Sequence, residues 1–120
     1  MSTEKENLKK LFENEAGFVP DNANPMIAKA PRVLASYMEM RNKLIGEGSL
    51  SKKIKLLISI SILVSSDVAG DGLVNYLRLA QKAGATEDEI IEAAGVAICI
   101  SGGGRLESLS KVCEFFIKKN

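Results

Sequence analysis

The chain has 120 residues, with 16 Lys and Arg against 15 Asp and Glu, and a net charge of +1. This near balance argues against an electrostatic nucleic-acid surface, and no run of like charge is long enough to form a binding tail. Histidine is absent, which excludes mechanisms that need an imidazole as base, acid or metal ligand.

The length predicts a single domain over residues 1–120. We expect a cytoplasmic protein without membrane contact, because the N-terminus lacks the apolar segment of a signal peptide and no apolar run is long enough to span a bilayer. Two cysteines, Cys99 and Cys113, are too few for a disulfide framework. Both are flanked by apolar residues and are therefore expected to be buried core thiols.

The first half of the chain predicts three helices. Thr3 with Glu6 is typical of a capping box that starts the first helix, and Gly17 is expected to end it. Residues 18–24 are predicted to form a loop. Asn24 before Pro25 predicts the start of a short second helix, and Pro31 predicts the first residue of a third.

A fourth helix is expected after Ser49 or Ser51, either of which could cap it. Its apolar residues extend nearly all the way round, which predicts a buried element. The β-branched run within it is also compatible with a strand. We favour a helix, because capping signals precede the run and no second strand is available to pair with it.

Residues 65–105 predict a helical hairpin. Four apolar residues spaced at helical intervals indicate one face of a fifth helix: Leu73, Tyr76, Leu77 and Ala80. Gly84 is expected to end it in a left-handed conformation. Thr86 and Glu89 then form a capping box for a sixth helix, which a tight turn at residues 102–104 should end. This triple glycine matches neither a phosphate-binding loop nor a dinucleotide fingerprint.

A last helix carries an apolar stripe composed of Leu106, Leu109, Cys113 and Phe116. The predicted fold class is therefore all-α, a compact bundle of about six helices. The fourth and sixth helices are apolar beyond one stripe. Since a domain of this size can hardly cover both, we expect a homo-oligomer that buries the excess.

The order of these features over about residues 50–116 resembles the carboxymuconolactone decarboxylase family, which includes alkyl hydroperoxidase D-like thiol proteins. The resemblance rests on the apolar helix LSKKIKLLISISILVSS and on the segment GLVNYLRLAQKAGATEDEIIEAAGVAICISGGG. It implies an alkyl hydroperoxidase D-like helical domain that assembles as trimers or hexamers.

The resemblance also indicates where the family's chemistry would lie. Thiol members carry Cys-x-x-Cys-x-x-x-His, and counting back from Gly84 places the two cysteines at Ala69 and Gly72 and the histidine at Tyr76. Decarboxylases of the family keep the histidine. Without sulfur or imidazole at these positions, the active site is expected to be degenerate, with no attacking thiolate.

The weak catalytic candidates that remain are Tyr76, Asp67 and Asp71. Tyr76 occupies the position of the family's histidine, but it also lies on an apolar stripe and could be a core ring. Asp71 could be an acid or could cap the fifth helix, and Asp67 could line the same pocket or lie in a solvated turn. No cofactor and no metal site is predicted.

Three functions follow from these residues. The first is an oligomeric small-molecule-binding or interaction protein with a degenerate active site and no thiol chemistry. The alternative is a decarboxylase-type enzyme for a small organic acid or lactone, in which Tyr76 donates a proton and Asp67 or Asp71 acts as base. The third function is alkyl hydroperoxidase activity, which a family-level assignment would give. The missing thiols argue against it. The expected partners are copies of the chain, as a trimer or hexamer, and a small organic acid, with no nucleic acid and no membrane.

Overall fold

The computed structural model describes residues 3–102 and 106–119; of residues 15, 16 and 119 it describes the backbone alone. The predicted all-α class is confirmed. The described residues form seven helices, where the sequence predicted about six: α1 (Glu4–Ala16), α2 (Ala23–Lys29), α3 (Pro31–Ile45), α4 (Lys52–Ser65), α5 (Asp71–Lys82), α6 (Glu87–Ser101) and α7 (Leu106–Lys119). They divide into two compact units, Met1–Gly46 and Glu47–Asn120. The single domain over 1–120 stays a prediction.

The first unit is a three-helix cluster in which α1, α2 and α3 each contact the other two. Its core consists of six buried apolar side chains: Leu8, Phe12, Ala23, Ile27, Leu34 and Met38. In each helix the two core residues are four apart, so they share one face. Burying each of the larger side chains stabilises the unit by roughly 1.5–3 kcal/mol.

Local signals set the helix ends of this unit, with one exception. The Glu6 N–H donates to Thr3 Oγ1 over 3.1 Å, and Gly17 ends α1 with a φ of 81°, both as predicted. The predicted start of α2 at Asn24 is wrong, since Asn22 is its N-cap and Pro25 is its third residue. A proline fits there because the first N–H groups of a helix have no acceptor within the helix.

In the second unit, α4 is the central helix. It packs most extensively on α6, next on α5, and also contacts α7. Three α4 residues spaced one turn apart, Leu56, Ile60 and Val64, are fully buried. The other helices and the α5–α6 turn, which contains Ala85, add the remaining apolar core of the unit: Leu73, Leu77, Ala80, Ala85, Ile90, Ala94, Ala97, Val112 and Phe116.

Within the single chain, only one side of α4 is covered, whereas its apolar composition predicted a buried element. Ile54, Ile58 and Ile62 lie on the side opposite the core and are exposed. Composition alone could not separate the two sides, because both carry aliphatic residues.

Capping signals in the second unit are confirmed. Ser51 caps α4 by accepting from the Ile54 N–H over 3.2 Å, which also settles the choice of helix over strand. Thr86 and Glu89 form the reciprocal capping box of α6, with bonds of 3.1 and 2.9 Å. Gly84 has a φ of 94°, a conformation that glycine adopts without a Cβ penalty.

The last helix is fastened to α4 through a buried serine. Ser108 Oγ donates to the Val64 carbonyl oxygen over 3.2 Å. The buried line of α7 runs through Ser108, Val112 and Phe116, whereas Leu106, which the sequence placed in the stripe, is exposed. A hydroxyl with a hydrogen-bond acceptor can occupy a core position that an apolar pattern assigns elsewhere.

Within the described ranges, no helix is both long and apolar enough to cross a membrane. Gly102 ends α6 with a φ of 93°, a value that favours glycine. The rest of the predicted triple-glycine turn, Gly103 and Gly104, lies outside the described residues.

Candidate functional site

The candidate residues cluster in the sequence around the turn that joins α4 to α5. Within that turn Asp67 has a φ of 54°, in the left-handed region that aspartate tolerates better than most residues. Its backbone N–H donates to the Val64 carbonyl oxygen over 2.9 Å. Its Oδ1 accepts a hydrogen bond from the Ser108 N–H over 3.1 Å, so one carboxylate oxygen is the acceptor for an N–H group in the first turn of α7.

Asp71 is the first residue of α5 and is half-buried. The prediction that it caps this helix is wrong. The N-cap is Gly70, and no side chain caps the first turn of α5. The charge of Asp71 instead lies beside the positive end of the helix dipole, which favours a carboxylate there.

Tyr76 is also half-buried, one and a half turns further along α5. At about 100° per residue, it lies roughly 140° around the helix from Asp71. It flanks the buried stripe of Leu73 and Leu77. Helical geometry therefore sets Asp71 and Tyr76 on different faces of α5, and their convergence with Asp67 on one cavity stays a prediction.

The sequence reasoning missed Asn75, which is 5% exposed although it lies away from the apolar stripe of α5. Among the described residues its Oδ1 has no hydrogen-bond partner. Asn75 follows Asp71 by one turn and so shares its face. In the sequence this asparagine falls among polar neighbours at a helical spacing, which is the pattern of a solvated face. An unpaired buried amide oxygen costs stability, and such a group calls for an explanation, a bound molecule among them.

The two positions where the resemblance places thiols, Ala69 and Gly72, are half-buried. Gly72 lies within the first turn of α5, and a Cβ built on it meets no atom within 4 Å. The space beside the uncapped turn is therefore open, one turn before Asn75.

The described residues offer no group of three or more Cys, Asp or Glu side chains that could hold a metal ion. Two glutamates on α6 and α7 have a lowered pKa. A hydrogen bond from Lys53 lowers the pKa of Glu89 on α6, and one from Lys118 lowers that of Glu114 on α7.

The two cysteines differ from expectation. Cys99 is exposed on α6 and Cys113 is half-buried on α7, both as free thiols. The prediction of two buried core thiols is thus wrong for Cys99. It failed because Cys99 lies with Val96 and Ile100 on the exposed side of α6, while its neighbour Ala97 faces the core.

Sequence and structure comparisons agree on a relationship. The sequence pattern of the carboxymuconolactone decarboxylase family matches residues 31–114. The chain belongs to the carboxymuconolactone decarboxylase family. Its structure is similar to the crystal structure of a putative carboxymuconolactone decarboxylase from Burkholderia xenovorans LB400, with a TM-score of 0.81 and 25% identity. That match covers 98% of this chain and 93% of the other. No functionally curated protein matches the sequence.

Family membership confirms the resemblance that the sequence predicted. It also places the turn before α5 within the matched region. The residues that match the carboxymuconolactone decarboxylase family extend from the start of α3 into α7 and include the uncapped start of α5. The features at that start are an open position at Gly72, a half-buried Asp71 and the buried amide of Asn75. These features offer hydrogen-bond donors and acceptors but no sulfur.

Proposed function

We propose that this member of the carboxymuconolactone decarboxylase family is an oligomeric protein that binds a small organic acid at the start of α5, without thiol chemistry. The observation that carries the proposal is the buried, unpaired Oδ1 of Asn75. A ligand hydroxyl or protonated carboxyl group would donate to this oxygen and remove the cost of leaving it unpaired.

The uncapped first turn of α5 supplies the complementary groups. Gly70 provides no side-chain acceptor, so the N–H groups of Asp71 and Gly72 would serve a carboxylate oxygen of the ligand. The Leu73 N–H already donates to the Gly70 carbonyl oxygen. The open space beside Gly72 allows close approach. Since Asp71 brings a negative charge to the same turn, a ligand with one carboxylate is favoured over a multiply charged one.

Titration calorimetry with a panel of small hydroxy acids, dicarboxylic acids and lactones tests the proposal. Asn75→Leu is expected to abolish the binding heat of any ligand found. Asn42→Leu is the matched control, because Asn42 is an exposed amide on α3 and should leave binding unchanged. Equal binding by wild type and Asn75→Leu would remove Asn75 from the site.

Thiol-dependent peroxide reduction is tested separately. A coupled peroxide-consumption assay should show no turnover above background, since Ala69 and Gly72 stand where the resemblance places the thiols. Turnover that disappears in Cys99→Ser or Cys113→Ser would contradict this and would assign the activity to the thiol that was replaced.

The decarboxylase-type alternative uses Tyr76 as proton donor and Asp67 or Asp71 as base. Asp67 already accepts a hydrogen bond from the Ser108 N–H, so Asp71 is the carboxylate to test first, although it lies on a different face of α5 from Tyr76. Product formation from a ligand found by calorimetry, lost in both Tyr76→Phe and Asp71→Asn, would favour this enzyme over a binding protein.

A further inference from the structure

The start of α5 contains the one Asp-Gly step of the sequence, Asp71-Gly72, and the sequence has no Asn-Gly step. In an Asp-Gly step the backbone nitrogen of the glycine can attack the side-chain carboxyl carbon of the aspartate. An N–C bond forms, water leaves, and a five-membered succinimide ring results. Water then adds to either ring carbonyl, which returns aspartate or gives isoaspartate. The reaction needs only water, which is released in the first step and taken up in the second.

The glycine makes this step more reactive than the other aspartates of the chain. A side chain on the residue after an aspartate crowds the attacking nitrogen, and glycine has none. The space around Gly72 is open as well, since a Cβ built on it meets no atom within 4 Å. Gly70 before the step is exposed, so the turn is accessible to water. The other three aspartates precede residues with side chains: Asp21 precedes Asn22, Asp67 precedes Val68, and Asp88 precedes Glu89.

The nitrogen of Gly72 is one that the helix does not hold. Its N–H belongs to the first turn of α5, where no acceptor exists within the helix. Between residues 3–102 and 106–119 it donates to no backbone carbonyl of a loop or cap either. By contrast, the N–H groups of Leu73 and Val74 both donate to the Gly70 carbonyl oxygen, over 3.1 and 3.3 Å. The attacking atom is therefore free of backbone hydrogen bonds.

Ring closure requires the first turn of α5 to open. The Gly72 nitrogen must rotate about Asp71 onto the carboxyl carbon, and a helical backbone keeps the two apart. Opening releases the two bonds to the Gly70 carbonyl oxygen and no side-chain cap, because none of the described side chains caps α5. A side-chain cap stabilises the start of a helix, so its absence lowers the cost of local opening.

The other two aspartates of the second unit lie in turns that are held closed. Asp88 lies in the first turn of α6, which Thr86 and Glu89 close with a reciprocal capping box. Asp67 uses its Oδ1 to accept a hydrogen bond from the Ser108 N–H, which restrains its carboxyl group. Neither aspartate combines a glycine neighbour with an uncapped turn.

We propose that Asp71-Gly72 is a site of spontaneous isomerisation, and that isoaspartate formed there disrupts the start of α5. The isoaspartyl linkage runs through the former side chain and adds one carbon atom to the main chain between Gly70 and Gly72. The hydrogen-bonded rings that Leu73 and Val74 close on the Gly70 carbonyl oxygen then no longer have helical dimensions. The isomerisation itself is independent of the proposed function, and only its effect on ligand binding rests on it.

Peptide mapping of the full chain tests the proposal. The protein is incubated at neutral pH and physiological temperature and digested with trypsin, and electron-transfer fragmentation then distinguishes isoaspartate from aspartate at each position. A protein isoaspartyl methyltransferase, which methylates the α-carboxylate of isoaspartate, measures the total. We expect isoaspartate to accumulate at Asp71 and to stay at the starting level at the other three aspartates. Asp21 is the internal control, because it lies in an exposed turn but precedes a residue with a side chain.

Three variants separate the chemistry from the fold. Gly72→Ala should reduce isoaspartate at Asp71 to the level found at Asp21, because its methyl group crowds the nitrogen. Asp71→Glu keeps the charge and should give none, since glutamate can close only a larger ring. Asp71→Asn is the positive control: it closes the same ring with loss of ammonia and should convert faster than wild type. Circular dichroism checks that each freshly prepared variant is helical.

The outcomes distinguish this proposal from the proposed ligand site. Isoaspartate at Asp71 that does not exceed the level at Asp21 would overturn the modification site and leave the ligand site as it stands. Equal accumulation in wild type and Gly72→Ala would overturn the role of the glycine. Modified chains, separated by ion exchange, should show less helix and a lower urea midpoint than unmodified chains. Identical values for the two would overturn the effect on α5.

Discussion

The backbone N–H of Ser108 donates to Oδ1 of Asp67 over 3.1 Å, across 41 residues of chain. This bond satisfies one of the N–H groups that the first turn of α7 leaves without an acceptor in its own helix. Together with the bond from Ser108 Oγ to Val64, it fastens the start of α7 to the end of α4 and the turn before α5. Asp67 therefore stabilises the packing of α7, a role that the sequence analysis, which treated it as a candidate site residue, did not predict.

Replacing Asp67 separates this task from chemistry. Asp67→Ala should lower the free energy of unfolding by about 1.5–3 kcal/mol, since it removes a charged acceptor and places a residue less tolerant of a left-handed φ. Asp67→Asn keeps an acceptor and tolerates that conformation, so it should cost less than about 1.5 kcal/mol. Urea denaturation of the two variants gives both values. Equal losses would show that the bond to Ser108 contributes little.

Helix ends were predictable because their causes are local. Thr3, Ser51 and Thr86 each cap a helix through an N–H three residues on, and Gly17 and Gly84 adopt left-handed conformations at helix ends. Each signal lies within a few residues of the boundary that it sets. The all-α class followed from these signals and from apolar periodicity.

Burial was harder to predict because it depends on what covers each face. Cys99 and Ile62 lie in apolar sequence but are exposed, while Asn75 and Ser108 are polar and buried. Helical spacing gives the face on which a residue lies and leaves open whether another element covers that face. The buried amide at the candidate site could not be identified until its surroundings were known.

Gly72 offers a test of the open space at the start of α5. Gly72→Ala should raise the free energy of unfolding by about 0.5–1 kcal/mol, because alanine reduces the backbone entropy lost on folding and its Cβ meets no neighbour within 4 Å. Gly84→Ala is the contrasting variant. It should destabilise by about 1–2 kcal/mol, since φ at Gly84 is 94°. Thermal and urea unfolding measure both. A destabilising Gly72→Ala would show that this space is filled.

The ion pair between α4 and α6 predicts a titration. The hydrogen bond from Lys53 holds the pKa of Glu89 below the usual pKa of a glutamate. Its contribution to stability is therefore present above the unfolded-state pKa and is lost as the pH falls through the lower folded-state pKa. NMR titration should give Glu89 a midpoint below that of an ordinary glutamate, and Lys53→Met should raise it. Lys118→Met is the control and should move the pKa of Glu114 instead.

Tyr76 should show the energetics of a ring that is only partly in the core. Tyr76→Phe should cost about 1 kcal/mol if the hydroxyl makes one hydrogen bond. Tyr76→Ala should cost less than the roughly 3–5 kcal/mol typical of a fully buried aromatic residue, since the ring is half-buried. Urea denaturation measures both costs. A full cavity cost for Tyr76→Ala would make this residue a core ring and remove it from the candidate site.

Asn75 decides whether the start of α5 is a site or only a helix end. If its amide is kept for a ligand, stability should improve when it is replaced by an apolar side chain of similar size. We expect Asn75→Leu to raise the free energy of unfolding by about 1 kcal/mol in the absence of ligand, because it removes an unpaired buried oxygen. Leu73→Ala, in the core of the same helix, should lower it by about 2–5 kcal/mol.

Asn75→Asp completes this test, because it preserves the shape and adds a charge. The new carboxyl group would be buried without a hydrogen-bond partner, and burial disfavours its charged form more than its protonated form. This variant should therefore be less stable at pH 7 than at pH 4. The stability ranking should therefore be Leu above Asn above Asp at neutral pH, measured by urea denaturation. A loss of 2 kcal/mol or more in Asn75→Leu would instead show that the amide holds the fold together, and the proposed binding site would lose the residue on which it rests.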